Sequence, residues 1–263
     1  MQSIAPPQSI QTLLQLAHAA GREIMAVYAS DFAVATKADL SPVTEADAMA
    51  EKVILAGLAE HWPEIPVLAE EAAAAGHIPS LGNRFFLVDP LDGTKEFLSR
   101  NGEFTVNIAL VENGRPVEGV VFAPAIGQIY WGKAGLGAAR ASFTVEADIS
   151  ALHWQPISVR PCPADGLTVV ASRSHMDDAT KDYLASRKIK SLTSAGSSLK
   201  FCLIAAGEAD LYPRFGRTME WDTGAGQAVL EAAGGKVCQI GTTPLTYGKA
   251  ERGFDNPAFV ASA

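Results

Sequence analysis

The sequence predicts an α/β protein of mixed character, α+β in its first half and alternating α/β in its second. Two long segments with helical apolar spacing precede a set of short strands with a hairpin signal between them. From about residue 167 onward, strand-like and helix-like segments alternate. Apolar residues make up 48% of the 263 positions, which is enough for a sizeable core in one large domain or two packed halves.

A first helix is expected over 9–30. Ile10, Leu13, Leu14, Ala17, Ile24 and Tyr28 recur on one face, with Gln11, Gln15, His18 and Arg22 between them. His18 reads as a surface residue of that helix. A polar loop over 36–42, closed by a Ser41-Pro42 turn, leads to a second helix over 43–60 with Val53, Ile54 and Leu58 inward. Thr44, Glu45 and Asp47 fall in its first turn, where hydroxyls and acids suit the helix dipole.

Pro66-Val67-Leu68-Ala69 reads as a short strand that ends in Glu70-Glu71. Phe85-Phe86-Leu87-Val88 reads as a buried strand, being short, bulky and bounded by turn formers. A compact acidic turn is expected after it, over Asp89-Pro90-Leu91-Asp92-Gly93. Pro90 stiffens this turn, Gly93 lets it close tightly, and a helix enters after Thr94.

Strands are expected over 104–111 and 117–122, joined at Asn113-Gly114, a strong signal for a two-residue hairpin. A further strand is expected over 128–132. The texture changes between 147 and 163, where Ile157-Ser158-Val159 is strand-like. This places a boundary between an α+β subdomain, 1–155, and an α/β subdomain, 156–263. In the second, strands are expected over 167–171, 210–212 and 236–240. Helices are expected over 178–187, 197–206 and 223–233, the last stopping at Gly234-Gly235. Residues 135–155 carry no clear signal.

The formal net charge of −8 argues against binding a nucleic-acid polymer, where a basic face dominates affinity. A small anionic ligand is still compatible, because a metal and a few local cations can invert the field of a cleft. Cys162, Cys202 and Cys238 are far apart and lack metal-ligand spacing, which points to buried free thiols in a reducing, cytoplasmic compartment. The first nine residues have neither a basic nor an apolar leader region, and no stretch has transmembrane length.

Chemistry-bearing residues collect at element ends. Glu70, Asp89, Asp92 and Asp222 are acids at such positions. Oxygen ligands suit hard cations such as Mg²⁺, and helix N-termini suit phosphate. Four polar clusters lie in the second half: Ser172-Arg173-Ser174-His175, Gly196-Ser197-Ser198-Leu199-Lys200, Tyr212-Pro213-Arg214, and Trp221-Asp222-Thr223-Gly224-Ala225-Gly226. Each alone is an ordinary turn, cap or solvated cation. Together, carboxylates beside cations describe a site for a phosphate ester.

Glu70-Glu71, then Asp89-Pro90-Leu91-Asp92-Gly93-Thr94, then Trp221 through Gly226 resemble, in that order, the motifs of a known family. It is the lithium-sensitive, Mg²⁺-dependent phosphomonoesterase superfamily that includes inositol monophosphatase and fructose-1,6-bisphosphatase. Stretches 88–97, 101–110, 172–175, 196–203 and 211–216 resemble its 3'(2'),5'-bisphosphate nucleotidase branch. The resemblance implies a layered α-β-α-β-α sandwich. It also implies hydrolysis of the 3'-phosphate of 3'-phosphoadenosine 5'-phosphate (PAP) to AMP and phosphate, a clearing step for sulfate assimilation.

By the same resemblance each site holds two Mg²⁺ ions, or three. Glu70, Asp89 and the carbonyl of Leu91 would take the first, and Asp89, Asp92 and Asp222 the second. Thr94, backed by Asp47, would orient the attacking water, and the amides of Gly93 and Thr94 would hold the scissile phosphate. The substrate would also meet Glu70, Leu91, Asp92 and Asp222. In the nucleotidase branch, His175, Ser197, Lys200 and Arg214 would contact the nucleotide and its second phosphate. The implied partner is a small nucleotide bisphosphate, acted on by a monomer or homodimer in the cytoplasm or at the cytoplasmic face of the bacterial inner membrane. A sister activity on inositol monophosphate or a sugar bisphosphate would use the same metals. The segments around Lys200 and Arg214 favour the nucleotidase, since an uncharged ring needs no clamp for a second phosphate. A non-catalytic sensor is disfavoured by the complete set of acids together with Thr94.

Overall fold

Phe85, Phe86, Leu87 and Val88 form an unbroken apolar run because both faces of their strand are covered. The computed structural model describes residues 4–30, 41–171 and 177–263. Helices α1 (Gln8–Tyr28) and α2 (Ser41–His61) lead into β1 (Val67–Ala69), α3 (Glu70–Ala74), β2 (Arg84–Asp92) and α4 (Thr94–Leu98). Strands β3 (Thr105–Glu112), β4 (Arg115–Ala123), β5 (Gln128–Lys133), β6 (Gly137–Ser142) and β7 (Gln155–Ile157) follow. The remainder is β8 (Leu167–Ala171), α5 (Asp178–Ala185), β9 (Ile189–Ser194), α6 (Leu199–Ala205), β10 (Leu211–Arg214), α7 (Glu220–Ala232), β11 (Lys236–Gln239) and β12 (Phe259–Ser262).

Strands β1 to β7 form a seven-stranded sheet in chain order, antiparallel except for the parallel pair β1–β2. Period-two alternation divides its side chains. Phe86, Val88, Ile108 and Leu110 pack with Ile10 and Leu13 of α1 and Ile54 and Leu58 of α2. Phe85, Leu87, Ala109 and Val111 pack on the other face with Phe201 of α6 and Ala225 and Val229 of α7. That helix layer also carries the second sheet, ordered β11-β12-β10-β8-β9, through Val170, Tyr212, Val237 and Phe259. On the outer face of this sheet, Leu184 of α5 packs on Val169 and Leu211. The layers are therefore helix, sheet, helix, sheet, helix, in agreement with the expected sandwich.

The Asn113-Gly114 hairpin forms as expected, with φ of 51° and 75° at the two turn residues. Several expectations are corrected. The acidic segment is not a turn after the strand, because β2 runs on to Asp92. Strand β1 ends opposite Val88, so beyond it the missing N–H of Pro90 breaks no bond of the β1–β2 ladder. The pairing Asp89↔Asn107 and then Asp92↔Thr105 spends one more residue on β2 than on β3, which is a bulge. In a regular strand two residues three apart point to opposite faces, and the extra residue lets Asp89 and Asp92 serve one site.

The expected Ser41-Pro42 turn is the first turn of α2, and the rest of the 36–42 loop lies outside the described residues. His18 is half-buried and not simply a surface residue. Its Nε2 lies 2.7 Å from the carbonyl oxygen of Val145, and its ring packs on Phe122 and Phe143. Part of the unassigned 135–155 region covers it. Strand β6 also lies in that region, and β9 and β12 were not foreseen. Most of β9 is exposed and shows no alternation, while β12 is only four residues long. The 155/156 boundary falls inside β7, which pairs with β6 of the first sheet.

Candidate active site

The acids converge at one end of the shared helix layer. Glu70 opens α3 directly after β1, Asp89 lies in β2 one residue beyond its pairing with β1, and Asp222 sits in the first turn of α7. One carboxylate oxygen from each lies within 4.8 Å of the others. Asp89 is almost fully buried, with 1% of its surface exposed. Its carboxylate accepts the Leu91 N–H at 3.1 Å and stands next to that of Glu70. Asp222 accepts the Met219 N–H at 2.8 Å, which ties the carboxylate to the helix start.

Asp92 stands beside this trio and outside it. Its carboxylate accepts from Asn107 Nδ2 at 3.3 Å, and Asn107 Oδ1 in turn accepts from the hydroxyl of Thr105 at 3.0 Å. Gly93 follows as the N-cap of α4 with φ of 103°, a left-handed conformation that glycine adopts without strain. A Cβ there would collide with Ser197 Oγ.

Burial and mutual repulsion push these acids upward. Asp92 and Glu70 rise to about 7 and Asp222 to about 6. In each, burial is the largest cause, with neighbouring carboxylates adding to it. Asp89 is held well above the usual carboxylate range by burial, then by Glu70, Asp92, Asp222 and Asp47. Asp47 on α2 rises to about 8, through burial and then repulsion from Glu71, Glu70 and Glu51. So Asp47 borders the cluster. The hydroxyl of Thr94 is not hydrogen-bonded to it among the described residues, although α4, which carries Thr94, packs on α2.

Two cations stand near Asp92 and Asp222. Lys200 of α6 is buried, donates to the Ser197 carbonyl at 2.9 Å, and lies 5.5 Å from the Tyr212 ring centroid. Burial lowers it to about 8, opposed mainly by the charge of Asp92. Arg214, at the end of β10, donates from Nη2 to the Arg217 carbonyl at 3.0 Å, while its buried Nε has no partner. An orphaned guanidinium N–H is a donor waiting for an acceptor. Ser197 donates its hydroxyl proton to the Asp92 carbonyl at 2.7 Å, which leaves that hydroxyl only its lone pairs for a ligand. Asp92, Gly93, Lys200, Tyr212, Arg214 and Asp222 line one cleft. His175, with its cluster 172–175, lies outside the described residues except for the strand end before it.

The donor set fits a hard divalent cation. It is all oxygen, and several carboxylates crowded away from water need either protons or positive charge to persist. Three contributors escaped sequence reasoning. Asn107 is one polar residue in an apolar strand. Ser198 donates to the Asp222 carbonyl at 2.8 Å but reads as a cap residue. Glu51 left one usable signal, its position four residues after Asp47 on the same helix.

Residues 7–258 match the inositol monophosphatase family. The "3'(2'),5'-bisphosphate nucleotidase CysQ" of Salmonella typhimurium is 47% identical over 252 residues, spanning 95% of this chain and 98% of that protein. Its namesake in Escherichia coli K12 is 46% identical over 255 residues, spanning 96% and 99%. Among solved structures, CysQ from Bacteroides thetaiotaomicron superposes with a TM-score of 0.82 at 38% identity, covering 96% of each chain. An inositol monophosphatase from Zymomonas mobilis gives 0.77 at 25% identity, covering 97% and 92%. Among the described residues no helix is long and apolar enough to cross a membrane.

Proposed function

Because the chain belongs to the inositol monophosphatase family, we propose that it is a metal-dependent phosphatase that removes the 3'-phosphate of PAP in the cytoplasm, giving AMP and phosphate. One observation carries this reading: Asp92 and Asp222 line one cleft with the cations Lys95, Lys200 and Arg214, and Asp222 also belongs to the cluster with Glu70 and Asp89. A monophosphate on an uncharged ring needs only the acid cluster and its metal. A substrate with two phosphates needs the second, positive subsite as well.

In this reading Glu70, Asp89 and the Leu91 carbonyl would hold one Mg²⁺, and Asp89, Asp92 and Asp222 another. Metal held there would supply charge to neutralise the phosphate dianion, lower the pKa of the attacking water and stabilise the leaving oxygen. The chain's own groups do the rest. Thr94 orients the water through its hydroxyl, and Asp47, drawn down from about 8 by the charge of cations held next to it, receives the proton behind it. The amides of Gly93 and Thr94 grip the scissile phosphate at the start of α4. Lys200 and Arg214 hold the 5'-phosphate, with Ser197 and His175 completing the nucleotide contacts. Water's oxygen bonds to phosphorus, the bond from phosphorus to the 3'-oxygen breaks, that oxygen takes a proton from a solvent water, and Asp47 returns its proton to solvent. In this division the first 155 residues supply most metal ligands, and 156–263 supply the nucleotide contacts and Asp222.

Phosphate release from PAP, inositol 1-phosphate and fructose 1,6-bisphosphate, with Mg²⁺ and with or without Li⁺, tests the proposal. Preference for PAP supports it. Preference for inositol 1-phosphate or the sugar bisphosphate moves the chain to a sister activity, and no release from any of the three overturns the phosphatase reading.

A further inference from the structure

Glu51 lies one turn beyond Asp47 on α2, outside the cleft, and is 7% exposed. Its two carboxylate oxygens accept from successive backbone groups at the start of α3. Glu71 N–H donates to Oε2 and Ala72 N–H to Oε1, both at 2.9 Å. The first turn of any helix has N–H groups without intrahelical partners, and the N-cap of α3, Ala69, has no side chain able to take them. The cap comes instead from another helix, through a carboxylate that is itself shielded from water.

We propose that Glu51 is the positioning residue for Glu70. By gripping the two amides that follow Glu70, it sets where α3 begins, and therefore where the Glu70 carboxylate stands relative to Asp89 and Asp222. Because Asp47 and Glu51 are four apart on one helix, they share a face. A single stretch of α2 thus borders the cluster with one acid and braces a ligand of that cluster with the next. Both oxygens of Glu51 are used. Gln offers one acceptor oxygen where Glu offers two, so it can satisfy only half of the cap, and Ala satisfies none of it. The inference rests on Glu70 being a metal ligand, as read above.

Groups that orient a metal ligand commonly contribute 10- to 100-fold to metal affinity. The experiment is a Mg²⁺ titration of the metal-stripped full-length protein followed by its melting temperature, a binding readout independent of turnover. The KM for PAP at saturating Mg²⁺ is measured alongside. The variants are Glu51→Ala, Glu51→Gln and Glu70→Gln, with Glu118→Gln as a control, a buried acid paired with Lys133 on the sheet. The expected result is a Mg²⁺ midpoint raised about 10-fold in Glu51→Ala, an intermediate rise in Glu51→Gln, no rise in Glu118→Gln, and an unchanged KM. If Glu51→Ala does not fold, Glu51→Gln alone decides. Variants at Glu51 that lower the melting temperature of the stripped protein but leave the Mg²⁺ midpoint within about 2-fold overturn the proposal and leave Glu51 a purely structural cap. If Glu70→Gln also leaves the midpoint unchanged, the ligand assignment falls first and takes this inference with it.

Discussion

Asp89 is almost fully enclosed, and it has Glu70, Asp92, Asp222 and Asp47 around it. Replacing it by Asn keeps the size and removes the charge that two bound cations would share. Asp89→Asn is expected to lower phosphate release by on the order of 10²-fold or more at saturating Mg²⁺. Near-normal turnover in that assay would remove Asp89 from the ligand set. Lys200 differs in kind, because it is buried beside the cleft and within the field of Asp92. Lys200→Ala is expected to raise the KM for PAP much more than it lowers kcat, since it removes binding at a distance from the reacting phosphorus. An unchanged KM would cancel its role at the second phosphate. These residues were legible in the sequence because acids and cations at element ends stand out against apolar runs. Asn107 was not, since nothing local separates a polar residue that orients Asp92 from one that faces water.

Among the elements, the bulge in β2 and the fit of α7 on the sheet do most to place the acids. Strand β2 was legible as a buried strand, but its end was not. Proline and glycine beside two aspartates resemble a turn, and only the early end of β1 and the pairing with β3 show that the strand continues. Helix α7 carries Asp222 and lies directly over β4 and β5. Gly119 makes that approach possible, since a Cβ there would stand 2.6 Å from the Ala225 carbonyl oxygen and 2.7 Å from Ala228 Cβ. Both obstacles belong to a packed helix and cannot swing aside. Gly119→Ala is expected to cost about 1–3 kcal/mol by overpacking. Calorimetry should then record a melting temperature lower by several degrees, at roughly 2–4 °C per kcal/mol for a chain of this size. An unaltered melting temperature would mean that α7 can lift from the sheet at no cost.

At the scale of the whole molecule, the acid cluster links stability to pH and to metal. Asp47 stands at about 8, Glu70 and Asp92 at about 7, and Asp222 at about 6, all raised chiefly by burial. A carboxyl with a raised folded-state pKa binds its proton more tightly folded than unfolded. Its contribution is complete below the unfolded value of about 4 and is lost as pH rises through the window from about 6 to 8. The metal-stripped protein should therefore unfold at lower urea at pH 8.5 than at pH 5.5. Excess Mg²⁺ should shrink that difference, because the cation takes the place of the protons. A urea midpoint that rises with pH in chelator would contradict this. By itself the sequence determined most helices and strands and the residue types of the site, because helix period, strand period and turn chemistry are properties of neighbours in the chain. Only the tertiary structure decided that Glu70 and Asp222, more than half the chain apart, come within ligand distance, that His18 is covered, and that Glu51 reaches across to α3. Those facts depend on which layers stack and in what register, and that is settled by the burial of both faces of the first sheet rather than by any local pattern.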